Sequence, residues 1–155
     1  MTFRALIFVC VTWLAGPALA SDMPPVSVPS PHSAADTLAR VEAEIAARNL
    51  TLLAKIDHQA AAADVDLEMP AATVVFFGMP KAGTPMFRKV PTLAIDLPLR
   101  VLVYEDAEGA VFVAYNPGEW LGEAVMARHG LNMPPEAQAG MTGMLSALAE
   151  AVIAP

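Results

Sequence analysis

Residues 99–115, with the sequence LRVLVYEDAEGAVFVAY, decide the fold of this chain. Leu99 to Tyr104 and Ala110 to Tyr115 are rich in β-branched and aromatic residues, which favour strands. Glu105 to Gly109 lies between them and supplies turn residues, so the stretch predicts an antiparallel hairpin. Ala72 to Phe77 has the same composition and predicts a third strand, covered on both faces or at least well buried.

The sequence on either side of these strands adds one more strand and several helices. Thr51 to Ile56 alternates in polarity and predicts a half-buried strand. Ser33 followed by Asp36 resembles a capping box, which predicts an amphipathic helix from Ala34 to Arg48. By similar signals we expect helices over residues 59–65, capped by Asp57, and over 85–90, 117–130 and 136–153. Helices before, between and after the strands predict an α+β fold, with a single mainly antiparallel sheet and helices packed on one face.

Four segments in the middle of the chain resemble a known family. They are Ile56-Asp57-His58, Phe77-Gly78-Met79-Pro80-Lys81-Ala82-Gly83-Thr84, the run from Asp96 to Asp106, and Ala114-Tyr115-Asn116. In this order and at these spacings they resemble the family called domain of unknown function 302. The resemblance covers roughly residues 50 to 130, implies a compact α+β domain, and aligns His58 with a characteristic residue of the family motif. It implies no established activity.

The first 20 residues predict a cleaved secretory signal. Arg4 precedes an apolar run from Ala5 to Ala15, and Ala18-Leu19-Ala20 has the small-x-small pattern of a cleavage site. The apolar run is much shorter than the roughly 20 residues that a membrane-spanning helix needs. We therefore expect a periplasmic or secreted protein with no stable membrane span after cleavage. Cleavage removes Cys10, the one cysteine, which excludes disulfides and thiolate chemistry from the exported form.

Charge and proline content indicate the domain organisation and exclude some partners. The chain has a net charge of −7, and nucleic acids and anionic membranes are poor partners for such a field. Residues 21–32 contain four prolines and predict an extended linker. Residues 33–132 then form the expected α+β domain, and residues 133–155 the expected C-terminal helix.

His58 is the first candidate site residue. It follows a predicted strand and starts a predicted helix, where the helix dipole favours a neutral imidazole that can accept a proton or bind a ligand. The simpler interpretation is a histidine that hydrogen-bonds its own turn.

Gly78 to Thr84 is the second candidate, predicted as a loop between a strand and a helix. Backbone amides of Gly78 and Gly83, the Lys81 ammonium and the Thr84 hydroxyl are groups that bind anions. The spacing is not that of a P-loop. The alternative is a sharp turn in which glycine supplies only conformational freedom.

The sequence offers little support for a metal, a cofactor or a catalytic centre. No pair of histidines has the spacing of metal ligands, and methionine in apolar stretches usually fills a core, so we predict no metal site and no cofactor. A general-base role for His58, with Lys81 and Thr84 stabilising an anion, is the weakest of three hypotheses and requires these side chains to converge.

Two other hypotheses remain. The first is a non-catalytic module that binds a small anionic or polar ligand near His58 and the Gly78–Thr84 segment. The second is a structural or interaction protein of the cell envelope that docks on a partner or forms a homodimer. It rests on the linker and on the apolar stripe of Met141, Leu145, Leu148 and Val152 in the C-terminal helix. Packing of that stripe against the domain is the expected arrangement, and self-association is the alternative.

Overall fold

Five antiparallel strands form one sheet in the computed structural model, which describes residues 23–155. The predicted signal at residues 1–20 lies outside the described residues. The strands are β1 Val26–Ser30, β2 Thr51–Asp57, β3 Ala72–Gly78, β4 Leu99–Glu105 and β5 Val111–Tyr115. Their order across the sheet is β1-β5-β4-β3-β2, with every neighbouring pair antiparallel.

The hairpin of β4 and β5 confirms the prediction from residues 99–115. Tyr104 lies opposite Phe112, and their rings stack with centroids 5.2 Å apart. In the turn, the Asp106 carboxylate accepts hydrogen bonds from the amides of Glu108 and Ala110, at 3.1 and 2.8 Å. Gly109 has a φ of +83°, a conformation that favours glycine.

Residues 26–30 correct the prediction of an extended linker over 21–32. They form the edge strand β1, in which Val26 pairs with Tyr115 and Pro29 with Phe112. An edge strand needs ladder hydrogen bonds on one side only, so it tolerates proline where a central strand does not. The proline content was therefore compatible with a strand, and its partner, β5, lies too far along the chain for a local pattern to reveal it.

Two helices cover one face of the sheet, which we call the inner face. Helix α1, Ala34–Ala47, begins at Ser33, whose hydroxyl accepts the Asp36 amide as predicted. Helix α5, Pro135–Ile153, buries Leu145, Leu148 and Val152. The core that both helices share with the inner face contains Val41, Ile45, Val75, Phe77, Val101, Val103, Val111, Val113, Tyr115, Leu145, Leu148, Ala149 and Val152.

The opposite face of the sheet, here called the outer face, is also apolar. Strand alternation places Val74 and Phe76 of β3, Leu102 and Tyr104 of β4, and Phe112 of β5 on it. These side chains are half-buried, and none belongs to either of the two buried clusters found in the described residues. The expectation of a β3 covered on both faces is wrong in this respect, because only its inner side chains Val75 and Phe77 are buried.

Strand β2 also differs from its prediction. All seven of its residues are exposed, whereas the alternating pattern predicted a half-buried strand. β2 is the other edge strand, and its pairing register with β3 shifts between Leu52 and Ala54, which is a bulge at Leu53. Its short following helix, α2 His58–Ala63, is capped by the Asp57 carboxylate as predicted.

The segment predicted as a loop over 78–84 is largely helical. Helix α3 spans Pro80–Lys89, with Pro80 at its first position, where proline needs no amide partner. Gly83 lies inside this helix, and a β-carbon added to it would be 3.2 Å from the Phe87 ring. The sequence predicted a helix only over residues 85–90, so the first half of α3, which includes Gly83, was missed.

A second cluster closes the end of the sheet at which β3 finishes and β4 begins. A 3₁₀ turn, Pro91–Ile95, follows α3, and helix α4, Gly118–Trp120, continues into a π-helical turn over Leu121–Met126. Leu93, Leu121, Val125 and Met126 are buried together, with Met86 and Phe87 of α3 packed against them. Between residues 23 and 155, no helix combines the length and the apolar character needed to cross a bilayer.

Candidate functional site

The structure separates His58 from the other predicted site residues. Asp57, directly before His58, pairs with Thr73, whereas Gly78 pairs with Thr51 at the other end of β2. Five residue steps along β3 correspond to about 17 Å at roughly 3.3 Å per residue. The shared pocket that would join His58 to the Gly78–Thr84 segment is therefore not formed, and the general-base hypothesis lacks the convergence that it requires.

Lys81, Gly83 and Thr84 lie in the first half of α3. The side chains of Lys81 and Thr84 are exposed, and Lys81 makes no ion pair with any residue from 23 to 155. The amides of Ala82 and Gly83 donate to the Met79 carbonyl, at 2.9 and 3.0 Å. Because these two amides are already paired, the backbone part of the expected anion site is occupied by the helix itself. Ligand binding by the Lys81 and Thr84 side chains stays a prediction.

A narrow cleft with a volume of about 20 Å³, close to the space that one water molecule needs, lies beside Gly78 at the end of the sheet. Its polar residues are Asp96, Arg100 and Asn116, and its apolar wall includes Trp120, Leu121 and Met141. Gly78 lies close to this cleft, since a β-carbon at Gly78 would be 3.6 Å from Cβ of Pro98, a lining residue.

The cleft brings together segments that are distant in the sequence but carry the family resemblance. Asp96 to Arg100 begins the third of the four resembling segments, and Asn116 ends the fourth. The antiparallel register of β4 and β5, in which Val101 opposes Tyr115, places the start of one strand beside the end of the other. The hairpin therefore positions these polar groups side by side.

A hydrogen-bonded network at the cleft edge fixes Asp96. His129 is only 6% exposed, and its Nε2 lies 2.7 Å from Asp96 Oδ2. Its Nδ1 lies 2.9 Å from the hydroxyl of Thr92, in the 3₁₀ turn. Arg128 Nη1 donates to Asp96 Oδ1 at 3.3 Å. The network joins the 3₁₀ turn to the end of the π-helical segment, so both oxygens of the Asp96 carboxylate are occupied.

Sequence reasoning missed this network. Asp96 entered only as part of the family resemblance, and His129 only as one of the histidines whose spacing does not fit metal ligands. The two residues are 33 positions apart, and no periodic pattern links a turn residue to the end of a helix. The one local signal was the pair of potential polar partners, Arg128 and His129, next to Gly130, where a helix end was predicted.

A second polar contact joins α4 to α5. The Thr142 hydroxyl donates to Glu119 Oε2 at 2.7 Å and accepts the Gly118 amide at 2.7 Å. The bond from Thr142, helped by a backbone hydrogen bond, lowers the pKa of Glu119 below its usual 4.5. The charged form of Glu119 is thereby favoured in the folded chain.

Metal-binding groups do not cluster in the part of the chain that the structure describes. From residue 23 to 155, no three His, Cys, Asp or Glu side chains are placed to hold one ion. The cleft residues that carry polar side chains are Asp96, Arg100 and Asn116, whose groups can form hydrogen bonds to a ligand.

Comparisons with known proteins identify the family of this fold. The family model "Domain of unknown function DUF302" matches residues 26–148. A crystal structure of an uncharacterized conserved DUF302 protein from Bacillus stearothermophilus is similar, with a TM-score of 0.66 and 14% sequence identity. The similarity covers 83% of this chain and 97% of that one, and at this identity it shows the fold alone.

Curated relatives carry the name of a channel. Proteins named "Fluoride-specific ion channel FluC 1", from Brucella suis biovar 1 and Brucella abortus biovar 1, are each 34% identical to this chain over 108 residues. These residues are 70% of this chain but only 41% and 38% of the two relatives. The chain therefore spans about two fifths of the length of the curated relatives that it matches.

Proposed function

This chain belongs to the DUF302 family, and from that premise we propose that it is an exported, non-catalytic module that binds a small anionic or polar ligand. The observation that carries the proposal is the cleft beside Gly78, which Asp96, Arg100 and Asn116 line together with an apolar wall. The proposed site thus moves from His58 and the α3 side chains to the open end of the β4–β5 hairpin, opposite its turn.

The charges around the cleft favour an anion. The Asp96 carboxylate is held by His129 and Arg128, whereas Arg100 makes no ion pair within residues 23–155. A guanidinium presents its donors in a planar fork that matches a carboxylate. The Asn116 amide adds a donor and an acceptor, and Trp120 with Met141 offers apolar contact. A carboxylate group has the matching chemistry, and the volume of about 20 Å³ limits the part of a ligand that enters the cleft to a group about as large as one water molecule.

The cell envelope is the proposed location for two independent reasons. Residues 1–20 have the composition of a secretory signal. The curated relatives are named as ion channels, and a channel must span a membrane with helices or a closed barrel. No helix in residues 23–155 of this chain is suited to crossing a bilayer, so we infer that the segment shared with these relatives is a module beside their pore rather than the pore itself.

Thermal unfolding in the presence of small anions tests the binding proposal. Dialysed protein is screened against carboxylates, phosphate and fluoride, and a binder at 100 times its Kd is expected to add about 2.7 kcal/mol, a shift of several degrees in Tm. Arg100→Gln removes the proposed anion partner and abolishes the shift.

Arg88→Gln is the matched control, because Arg88 is also an exposed arginine without an ion pair in the described residues and does not line the cleft. It keeps the shift. The proposal is contradicted if no anion raises the Tm of the wild-type protein, or if both variants lose the Tm shift equally.

The alternative, a structural or interaction protein, needs a surface other than the stripe on α5. Leu145, Leu148 and Val152 are buried in the core, so they are not free to contact a second molecule. Removal of residues 136–155 would also remove part of the core, and a change in association after truncation would then report unfolding. A docking role therefore depends on a different apolar surface.

A further inference from the structure

We infer that the outer face of the sheet is the contact surface between two copies of this chain. Antiparallel sheets with one solvated face alternate apolar and polar residues, so that the outward side chains are polar. Here β3, β4 and β5 are apolar on both faces: Val75, Phe77 and Val103 point inward, and Val74, Phe76 and Leu102 point outward.

The outer face is unusually poor in charge for a surface. Across the five described strands, Arg100 is the one charged residue that alternation places on it, and its Nη2 donates to the Asp96 carbonyl, at 3.5 Å, at the end of the sheet where the cleft lies. Ile56 of β2 extends the apolar area toward the edge and is 45% exposed. In contrast, the chain as a whole carries 25 charged residues. Contiguous apolar surface of this kind marks an interaction site.

The size of the face is sufficient for a dimer. Five strands about 4.8 Å apart, with lengths of five to seven residues at roughly 3.3 Å each, give a plan area of about 500 Å². Two copies therefore bury about 1,000 Å² in total, which is about the smallest area expected of a specific interface. Because side chains protrude from the plane of the sheet, the accessible area that is buried is larger than this plan area.

A second copy matches the face better than a lipid surface does. An anionic membrane attracts basic surfaces, and this face offers only Arg100 on a chain of net charge −7. A second copy supplies a sheet of equal size, twist and apolar character. Two such sheets pack face to face with mean strand directions within about 30° and a separation of about 10 Å, and a two-fold axis makes the contact self-complementary.

Sedimentation velocity of the protein, expressed from its full 155-residue sequence, tests the inference. At tens of micromolar we expect the mass of two copies. Leu102→Glu places a charge in the middle of the face, opposite Val74 of β3 and Ala114 of β5, and weakens association at least 100-fold. Ile95→Glu is the matched control, because Ile95 is an apolar residue that is 75% exposed and lies outside the strands; this variant stays dimeric.

Crosslinking keeps the test independent of whether Leu102→Glu folds. In a Cys10→Ser background, Leu102→Cys is expected to crosslink between copies with a bis-maleimide of about 10 Å reach, the separation of packed sheets. Ile95→Cys is expected not to do so. A monomeric wild-type protein, or equal effects at positions 102 and 95, overturns the inference. The inference is also overturned if the protein is monomeric and binds vesicles of phosphatidylethanolamine and phosphatidylglycerol only when Leu102 is present. That result would mean that the outer face contacts lipid.

Discussion

At Gly118, a hydrogen in place of a side chain lets α4 and α5 touch. A β-carbon there would lie 2.0 Å from the Gln138 carbonyl oxygen, a backbone atom that cannot move alone. Gly118→Ala is therefore expected to lower the free energy of unfolding by about 3 kcal/mol, the upper range for overpacking. Urea denaturation measures the change.

Gly140→Ala provides the matched control at the residue scale. Gly140 lies inside α5, and a β-carbon added to it meets no atom within 4 Å. Alanine has the higher helix propensity, so this variant is expected to raise the unfolding free energy by about 0.5–1 kcal/mol. Destabilisation of similar size in both variants would show that the α4–α5 contact is not the cause.

His129 gives a second residue-scale prediction. Its side chain is buried and bonded on both ring nitrogens, so His129→Ala leaves Asp96 Oδ2 and the Thr92 hydroxyl without partners and is expected to cost about 1–3 kcal/mol. A double-mutant cycle with Asp96→Ala is expected to show a coupling of about 1 kcal/mol, because the two residues share one hydrogen bond. Strictly additive effects in urea titrations would mean that the network does not stabilise the fold.

At the scale of elements, the contact between α4 and α5 predicts a dependence on pH. The pKa of Glu119 is lower in the folded chain than its usual 4.5, because Thr142 donates to the carboxylate. A depressed pKa gives stability that is present above pH 4.5 and is lost as pH falls through the folded value. Wild type is expected to exceed Glu119→Gln in stability at pH 7, and the difference shrinks over the range of pH below 4.5. A difference that is constant over this range contradicts the assignment.

The elements also show which features local sequence could predict. The hairpin of residues 99–115 was predictable because both strands and their turn are contiguous. The edge strand at Val26–Ser30 was not, since its partner β5 follows about 85 residues later and proline argued against a strand. Helix α3 was predicted only from residue 85, because glycine and proline usually interrupt a helix; its packing through Met86 and Phe87 against the second cluster is a long-range contact that a local pattern does not show.

For the candidate site, too, local sequence identified residues but not which of them meet in the fold. Asp96, Arg100 and Asn116 were visible in the resembling segments, but only the register of β4 and β5 shows that they meet. His58 and Gly78 both flank predicted strands, and sequence alone does not specify which ends of antiparallel strands coincide. The pairing of Asp57 with Thr73 separates them.

At the scale of the whole molecule, the secretory signal predicted at residues 1–20 gives a test that is independent of the fold. Expression of the full chain in a Gram-negative bacterium is expected to yield a periplasmic protein that begins at Ser21, because Ala18-Leu19-Ala20 fits the signal peptidase pattern. Mass spectrometry of the periplasmic fraction identifies the first residue. Ala20→Arg serves as the control and is expected to block processing. Retention of the uncleaved wild-type chain in the cytoplasm would refute export.

The placement of β1 against β5 also has a consequence for biogenesis. Ribosomes make residues 26–30 early, but Tyr115, which pairs with Val26, emerges 89 residues later. During this interval the first strand has no native neighbour, and pairings between such distant segments form slowly. The nascent polypeptide therefore stays accessible to chaperones and translocation factors until most of it has been synthesised.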